Sequence, residues 1–358
     1  MDLITTESVF SFVLKLLLPR ASNIPETIER PMFYTNEKEW EGALRYATGL
    51  RCALPFLIKI DRSIWRGDLP GSTTQLFGQL LSNERMKLAI LDEILDSALD
   101  VLVAADIPVI VLKGMDLGRR VYHERILRPM TDVDLCVPQD FFNEASDILK
   151  QSGFKQAGMH YPGRDKMEFS RGNGQPVLEL HAMASMAIWE RSLMGAIPSL
   201  PGKVRSLSFR DNFTYLVRHA AVQHVMESPL WLNDIHFLLE SSTVKFGTAQ
   251  VSDKAWEEII LDLRSQKTLS AAWFVLMLLR DQCGTSFPAW VLEVLKKETS
   301  LINRRLNKKY LDPQTLFNPT PRSMASVVMR RYLLRDGAID VLRYGIGKIH
   351  RYFLTHTF

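Results

Sequence analysis

The sequence lacks the features of several large protein classes. It has three cysteines in 358 residues, and no two of them form a CxxC pair, so neither a disulfide framework nor a zinc knuckle is expected. No apolar run approaches the roughly 18 to 20 residues that span a bilayer. The first 20 residues are apolar but carry acids and Lys15, and they lack the basic segment and cleavage site of a signal peptide. We therefore expect a cytoplasmic protein with no membrane partner.

Several catalytic motifs are also missing. The chain contains no GxSxG, HExxH, P-loop or dinucleotide-type glycine-rich pattern. These absences argue against a serine hydrolase, a zinc protease and a P-loop ATPase. The chain also shows no internal repeat and no low-complexity tract, so a globular fold is expected.

Charge is distributed unevenly along the chain. The net charge is +4, yet residues 296–358 contain 13 Lys or Arg against 4 Asp or Glu, a local charge of +9. The preceding 295 residues therefore sum to −5. A basic end attached to a mildly acidic body can hold phosphates or an acidic surface, or it can be a solvated helical face. Both interpretations stay open at this point.

The hydrophobic pattern predicts three regions, in which residues 1–83 and 185–358 are helical and flank an α/β core over 84–184. The core begins with an amphipathic helix for which Asn83 is the predicted N-cap, followed by the short β-branched run "IPVIVLKG". A helix from Asp116 to Tyr122 comes next. The predicted fold class is α+β, with a small mixed sheet and helices packed on it.

The strand "TDVDLCV" carries two acidic residues. Side chains alternate across a strand, so Asp132 and Asp134 share one face, while the branched residues between and after them share the other. If the branched face packs into the core, the aspartates face a cleft. Two carboxylates at this spacing repel each other, and a divalent cation removes that conflict. Oxygen ligands of this kind favour Mg²⁺.

Two neighbouring segments support a phosphate-handling site. Lys113-Gly114 ends one strand and opens a helix, where backbone N–H groups and a cation can hold phosphate. The later run "VLELHA" alternates so that Glu179 and His181 share a face. A turn at residues 172–174 predicts that this run is the second strand of a hairpin. On an adjacent strand, Glu179 would add a third carboxylate to the site.

These motifs together resemble a known group of proteins. Their order of strand, Gly loop, helix, "DVDL" strand and later acidic strand is similar to the DNA polymerase beta-like nucleotidyltransferase superfamily. More narrowly, "IPVIVLKGMDLGRRVY", "RPMTDVDLCV", "LELHA" and "WLNDI" resemble a bacterial group of largely uncharacterised nucleotidyltransferase-like proteins. The resemblance covers roughly residues 85–240.

The resemblance implies transfer of a nucleoside monophosphate from an NTP to an acceptor hydroxyl, with release of pyrophosphate. It implies that Mg²⁺, or Mn²⁺, is the cofactor and that NTP is a substrate. It assigns three carboxylates to the metal and to catalysis, and it assigns the backbone at Gly114 to the triphosphate. Three further candidates for nucleotide binding rest on their own side-chain chemistry and not on the resemblance. The catalytic and metal residues are Asp132, Asp134 and Glu179, and the nucleotide-binding residues are Lys113, Gly114, Arg128 and His181.

Structural alternatives exist for several of these residues, because the aspartates can pair with Arg125 or Arg128, and Lys113 can be solvated. His181 can contact substrate, orient Glu179 or be a hydrogen-bonded structural histidine. Three functions therefore remain. The first is a nucleotidyltransferase acting on a small molecule or protein, which the sequence favours. The second uses RNA as the acceptor, held by the basic end. The third is a catalytically silent nucleotide- or partner-binding module, such as a toxin–antitoxin component.

Overall fold

The computed structural model describes most of the central part of the chain. The described residues are 37–62, 69–157, 166–172, 174–183, 186–224, 226–245 and 251–301, with isolated positions at 13, 14, 16–18, 67, 303–305, 316, 317, 334 and 336. The chain forms two compact units: residues 57–212 make one, and residues 1–56 with 213–358 make the other. The three-region division proposed above stays a prediction.

Seven strands of the described residues form one mixed sheet in the order β3-β4-β5-β2-β1-β7-β6. The central pair, β2 and β5, is parallel, whereas β1 and β4 flank this pair in antiparallel orientation. A mixed sheet with flanking helices confirms the predicted α+β class. The strands are β1 (Ile110–Val111), β2 (Asp132–Pro138), β3 (Lys155–Ala157), β4 (Lys166–Ser170), β5 (Val177–Met183), β6 (Leu193–Met194) and β7 (Arg205–Ser206).

Helices account for most of the remaining described structure. They are α1 (Glu37–Gly49), α2 (Ala53–Asp61), α3 (Gly71–Ala104), α4 (Lys113–Arg120), α5 (Phe142–Gln151), α6 (Met186–Arg191), α7 (Phe209–Val217), α8 (Pro229–Lys245), α9 (Asp253–Ser265), α10 (Leu269–Leu278) and α11 (Ala289–Glu298). No described helix combines the length and apolar character needed to cross a lipid bilayer.

The alternating pattern of β2 and β5 divides the sheet into an apolar and a polar face. Val133 and Leu135 on β2, with Leu178 and Leu180 on β5, are completely buried in one hydrophobic cluster. The same cluster contains the apolar stripe of α3, together with buried residues of α5. Since one face of the central strands is covered in this way, the intervening polar side chains must lie on the opposite face.

Most local predictions for this unit are confirmed, and three need correction. The strand at Asp132 and the hairpin of β4 and β5 form as predicted. Asn83 is not an N-cap, because α3 runs continuously from Gly71 to Ala104. Helix α4 begins at Lys113 rather than at Asp116. The short strands β6 and β7 lie in a segment that was predicted to be helical; tertiary pairing of β7 with β1 overrides the weak local pattern there.

A buried carboxylate ties α4 to the sheet. Asp116 is 1% exposed and accepts hydrogen bonds from Arg120 Nε and Nη2, both at 2.9 Å. It also accepts from Ser206 Oγ at 2.8 Å and from Asn212 Nδ2 at 3.1 Å. The hydrogen bonds from Ser206 and Asn212 hold α4 against β7 and the start of α7. Asp116 therefore positions this part of the fold.

We expect Asp116→Asn to lower the free energy of unfolding by about 3 to 5 kcal/mol, because the amide turns one acceptor into a donor facing Arg120. Urea unfolding followed by circular dichroism measures the change. The matched control is Asp106→Asn, since Asp106 also pairs with a basic residue, Lys203, but on the exposed surface. Equal stability losses in the two variants would contradict a structural role for the buried network.

The basic end, predicted to contact phosphates or an acidic surface, lies mostly outside the described residues. Arg304 and Arg305 are among the described residues, whereas most of residues 302–358, including Lys308 and Lys309, lie outside them. The proposed phosphate contacts of this region therefore stay a prediction.

Candidate active site

The parallel register of β2 and β5 brings the predicted carboxylates together. Asp134 is directly paired with Glu179, Asp132 with Val177, and Cys136 with His181. Paired residues of a parallel ladder point to the same side of the sheet, so both aspartates, Glu179 and His181 share the polar face. Asp134 is almost completely buried, at 1% exposure, whereas the other three are half-buried. The assignment of Glu179 as a neighbour of the "DVDL" strand thus agrees with the geometry.

Lys113 reaches this face from the loop between β1 and α4. The Leu112 N–H donates to the Asp134 carbonyl at 3.0 Å, which anchors the loop to β2. Lys113 then has φ = 49°, in the left-handed region that side chains with a Cβ rarely adopt. Its Nζ lies 2.5 Å from Asp134 Oδ1 and 3.7 Å from Glu179 Oε2. The strained backbone therefore presents an ammonium group to two of the carboxylates.

His181 contacts the same two carboxylates from β5. Its Nε2 lies 3.0 Å from Asp134 Oδ1 and 3.4 Å from Glu179 Oε2. One ligand atom each of Asp134, Glu179 and His181 lies within 4.8 Å of the other two. The contact with Glu179 is compatible with the predicted orienting role of His181, and the predicted contact with nucleotide stays a prediction.

A further cation at the site was not identified from the sequence. Lys166 on β4 lies 2.6 Å from Glu179 Oε1 and 3.0 Å from Glu168 Oε1. The antiparallel register pairs Lys166 with His181 and Glu168 with Glu179, which places all four on one face. The signal was available in the alternation of "KMEFS", but using it required the exact hairpin register.

At this site, the pKa values of Asp132 and Glu179 are shifted in opposite directions. Burial raises the pKa of Asp132 to about 6, and the negative charge of Asp134 adds to the rise, although Lys113 and Arg128 partly oppose it. Burial also disfavours the ionised form of Glu179. Hydrogen bonds from His181 and Lys166, with the charge of Lys113, outweigh burial and hold the Glu179 pKa below its usual value.

The basic groups respond to these carboxylates. Burial lowers the His181 pKa, but hydrogen bonds to Asp134 and Glu179 outweigh burial and raise it above the ordinary value. The Lys166 pKa is raised for the same reason, since hydrogen bonds to Glu179 and Glu168 exceed the opposing effect of burial. Burial, with the charge of Asp134, raises the pKa of the neighbouring Cys136 thiol to about 12, which keeps it protonated. The cluster is therefore a network of opposite charges.

Gly114 and Arg128 lie close together beside this network. A Cβ on Gly114 would come within 3.1 Å of Met130 Cβ and 3.5 Å of Arg128 Nη1, so packing alone favours glycine there. Arg128 is buried, at 5% exposure, and donates from Nη1 to the Pro129 carbonyl at 2.7 Å. The alternative partner considered for the aspartates, Arg125, instead makes a two-pronged contact with Asp92 at 2.6 and 2.8 Å. Phosphate binding by Gly114 and Arg128 stays a prediction.

The donor set suits a divalent cation. Carboxylate oxygens of Asp134 and Glu179 and the Nε2 of His181 already converge, and Asp132 lies two residues from Asp134 on the same face. Hard oxygen ligands bind Mg²⁺ and Mn²⁺, and a cation between them would relieve the repulsion by Asp134 that adds to the effect of burial on the Asp132 pKa.

Comparison with family models decides the classification. A model described as "Uncharacterised nucleotidyltransferase" matches residues 36–284. The chain belongs to this family. Membership confirms the resemblance inferred from the "LKG", "DVDL" and "LELHA" motifs, and with it the expected enzyme class. No curated protein matches the chain.

Three solved structures show partial similarity to this nucleotidyltransferase family member. The solution structure of the antibiotic-resistance factor ANT(2'')-Ia matches with 14% identity and a TM-score of 0.35, covering 51% of this chain and 94% of that one. A crystal structure of ANT(2'')-Ia with adenylyl-2''-tobramycin matches with 16% identity and a TM-score of 0.34, covering 49% and 97%. The Megavirus polyadenylate synthase matches with 12% identity and a TM-score of 0.33, covering 82% and 59%.

Proposed function

We propose that this family member transfers a nucleoside monophosphate from an NTP to a hydroxyl group of a small molecule or protein, with release of pyrophosphate. The observation that carries the proposal is the pairing of Asp134 with Glu179 on adjacent parallel strands, with the Lys113 ammonium 2.5 Å from one and 3.7 Å from the other. A purely structural ion pair would not need a third carboxylate, Asp132, whose pKa is raised beside it.

The proposed roles follow from the positions of the side chains. Asp132, Asp134 and Glu179 would hold Mg²⁺ or Mn²⁺, which supplies positive charge for the triphosphate and activates the acceptor hydroxyl. Glu179 has a low pKa, so it is ionised at neutral pH and can accept a hydrogen bond from the acceptor hydroxyl. Lys113 neutralises the carboxylates in the absence of a cation. When a cation takes its place, the ammonium group can contact the phosphates. Arg128 and the backbone at Gly114 complete the proposed nucleotide site.

The experiment that tests this function follows labelled phosphate. The purified chain is incubated with each α-labelled NTP, a divalent cation and a cell lysate, and the products are separated into small molecules, proteins and nucleic acids. We expect cation-dependent label in the small-molecule or protein fraction, together with released pyrophosphate. Label in RNA would favour the alternative acceptor. Nucleotide binding without any labelled product would instead support the catalytically silent module.

We expect Lys113→Met to strengthen cation binding in the absence of nucleotide by about tenfold and to weaken NTP binding. The ammonium competes with a cation for Asp134, and opposite charges about 4 Å apart attract by up to ~4 kcal/mol at the effective dielectric of a protein surface. Calorimetric titration with Mn²⁺ alone, and then with NTP, measures both effects.

The matched control for this prediction is Lys203→Met, which removes an exposed lysine paired with Asp106 in the same compact unit. It should alter neither affinity measurably. Unchanged cation affinity in Lys113→Met would show that the ammonium does not occupy the position of the cation.

A further inference from the structure

The imidazole of His181 contacts two carboxylates of the site, those of the register partners Asp134 and Glu179. Its Nε2 lies 3.0 Å from Asp134 Oδ1 and 3.4 Å from Glu179 Oε2, and the ring is about one-fifth exposed. A histidine serving only to hold one carboxylate would need one such contact. Here one nitrogen faces two carboxylate oxygens, which is the arrangement of three ligand atoms around a common point.

The fold positions this nitrogen through the strand register. His181 follows Glu179 by two residues on β5, so the two side chains lie on the same face one step apart. Cys136, the residue paired with His181 on β2, is a neutral thiol that is buried at 7% exposure and has a raised pKa. The register partner of His181 is thus a neutral thiol on the β2 side and Lys166 on the β4 side. The ring nitrogen contacts Asp134 and Glu179 and extends the carboxylate site.

A nitrogen ligand changes which cation the site prefers. Magnesium binds oxygen donors almost exclusively, whereas imidazole is a good ligand for first-row transition ions. Among these ions, Mn²⁺ also accepts carboxylates and water, which matches the remaining donors of this cluster. We propose that His181 is a metal ligand together with Asp134 and Glu179, and that the site binds Mn²⁺-type transition ions in preference to Mg²⁺. This inference rests on the proposed function, because it concerns the cation of the same site.

Two observations support a ligand role over a nucleotide-contact role. The Nε2 atom contacts the same two carboxylates that are proposed to hold the cation. Moreover, an unprotonated imidazole nitrogen has a lone pair that can bind a metal ion, whereas the ammonium groups of Lys113 and Lys166, which contact carboxylates of the same face, have none.

The test is a spectroscopic measurement on the full-length chain with Mn²⁺ and no nucleotide. A ligating imidazole nitrogen produces ¹⁴N modulation in the electron spin echo of bound Mn²⁺. We expect this modulation in the wild-type chain, and we expect it to change to the ¹⁵N pattern when the histidines are labelled with ¹⁵N. The labelling arm needs no substitution, so it does not depend on the folding of a variant.

The substitution arm compares His181→Gln with His123→Gln, which alters an exposed histidine of the same compact unit. Loss of even an outer partner of a metal ligand costs about 10- to 100-fold in affinity, so His181→Gln should weaken Mn²⁺ binding by at least about tenfold. Mg²⁺ binding should change much less, so the preference for Mn²⁺ should disappear. His123→Gln should retain both the affinity and the ¹⁴N signal.

The possible results separate this inference from the proposed function. Mn²⁺ bound to the wild-type chain without histidine ¹⁴N coupling would overturn the ligand role of His181 and leave the nucleotidyltransferase proposal intact. Equal affinity for Mn²⁺ and Mg²⁺ would overturn the stated preference. A wild-type chain that binds no divalent cation, with or without NTP, would overturn both proposals.

Discussion

Replacing Asp134 with asparagine should destabilise the protein by about 3 kcal/mol and abolish its cation binding. Asp134 is 1% exposed and receives contacts from two basic groups, Lys113 Nζ at 2.5 Å and His181 Nε2 at 3.0 Å. The neutral amide leaves both groups next to a weaker partner in a poorly solvated position. Chemical unfolding in the presence of a chelator measures the stability, and Mn²⁺ titration of the folded chain measures the binding.

The neighbouring substitution, Asp132→Asn, should have the opposite effect on stability at neutral pH. The Asp132 pKa is raised from 3.8 to about 6, first by burial and then by the charge of Asp134. A raised carboxyl pKa means that the folded state holds the proton more tightly than the unfolded state, so ionisation destabilises the fold above about pH 6. Asparagine cannot ionise, and we expect a gain of about 1 to 3 kcal/mol near pH 7.5.

The pH dependence provides the control for this pair. The gain from Asp132→Asn should shrink as the pH falls through about 6 and vanish below about pH 3.8, where the wild-type carboxyl group is protonated in both the folded and the unfolded state. Cation binding should nevertheless be weakened by Asp132→Asn and abolished by Asp134→Asn. Stability changes of the same sign for Asp132→Asn and Asp134→Asn at neutral pH would show that the two aspartates do not differ as described.

The second large effect is expected for Glu179→Gln, which should lower nucleotide transfer by about three orders of magnitude or more while NTP still binds. Proton transfer by a positioned side chain contributes typically 10²- to 10⁴-fold, and this carboxylate is also a proposed metal ligand. The amide removes both the negative charge and the proton acceptor. Single-turnover transfer of labelled nucleotide measures the rate, and nucleotide titration measures the binding.

The control for Glu179 is Glu168→Gln on the neighbouring strand. Glu168 is paired with Glu179 in the register and shares its partner Lys166, but its side chain is 42% exposed. Its substitution should change the transfer rate by no more than a few-fold. Comparable losses in the two glutamine variants would assign the effect to Lys166 or to the general charge of the face instead of to the Glu179 carboxylate.

The sequence alone was sufficient for the local features of the site. Strict alternation in "TDVDLCV" and "VLELHA" separates the acidic residues from the apolar ones, because side chains of a strand point to opposite sides. The same alternation, with the turn at residues 172–174, predicted that β5 is the second strand of a hairpin. Patterns of this kind depend only on neighbours along the chain, which is why the fold class and the polar face were predictable.

Element ends were less predictable, since they depend on distant contacts. The N-cap signal at Asn83 is overridden because α3 extends back to Gly71, within the turn-forming segment "RGDLPGSTT". The strand β1 covers only Ile110–Val111, after which Lys113 takes a left-handed conformation and opens α4. The sequence predicts that the strand ends at Lys113-Gly114. The left-handed conformation of Lys113 comes directly after a long-range hydrogen bond, from the Leu112 N–H to the Asp134 carbonyl on β2.

What the sequence by itself determined is the set of charged residues on one face of the sheet and the nucleotidyltransferase motifs that identify the family. Only the tertiary structure decided which of these charges touch: Lys113 and His181 both reach Asp134, and Lys166 reaches Glu179. In the chain, Lys113 lies 21 positions and His181 lies 47 positions from Asp134. The physical reason is that alternation specifies the face of each strand, whereas the register between strands depends on packing of the whole sheet.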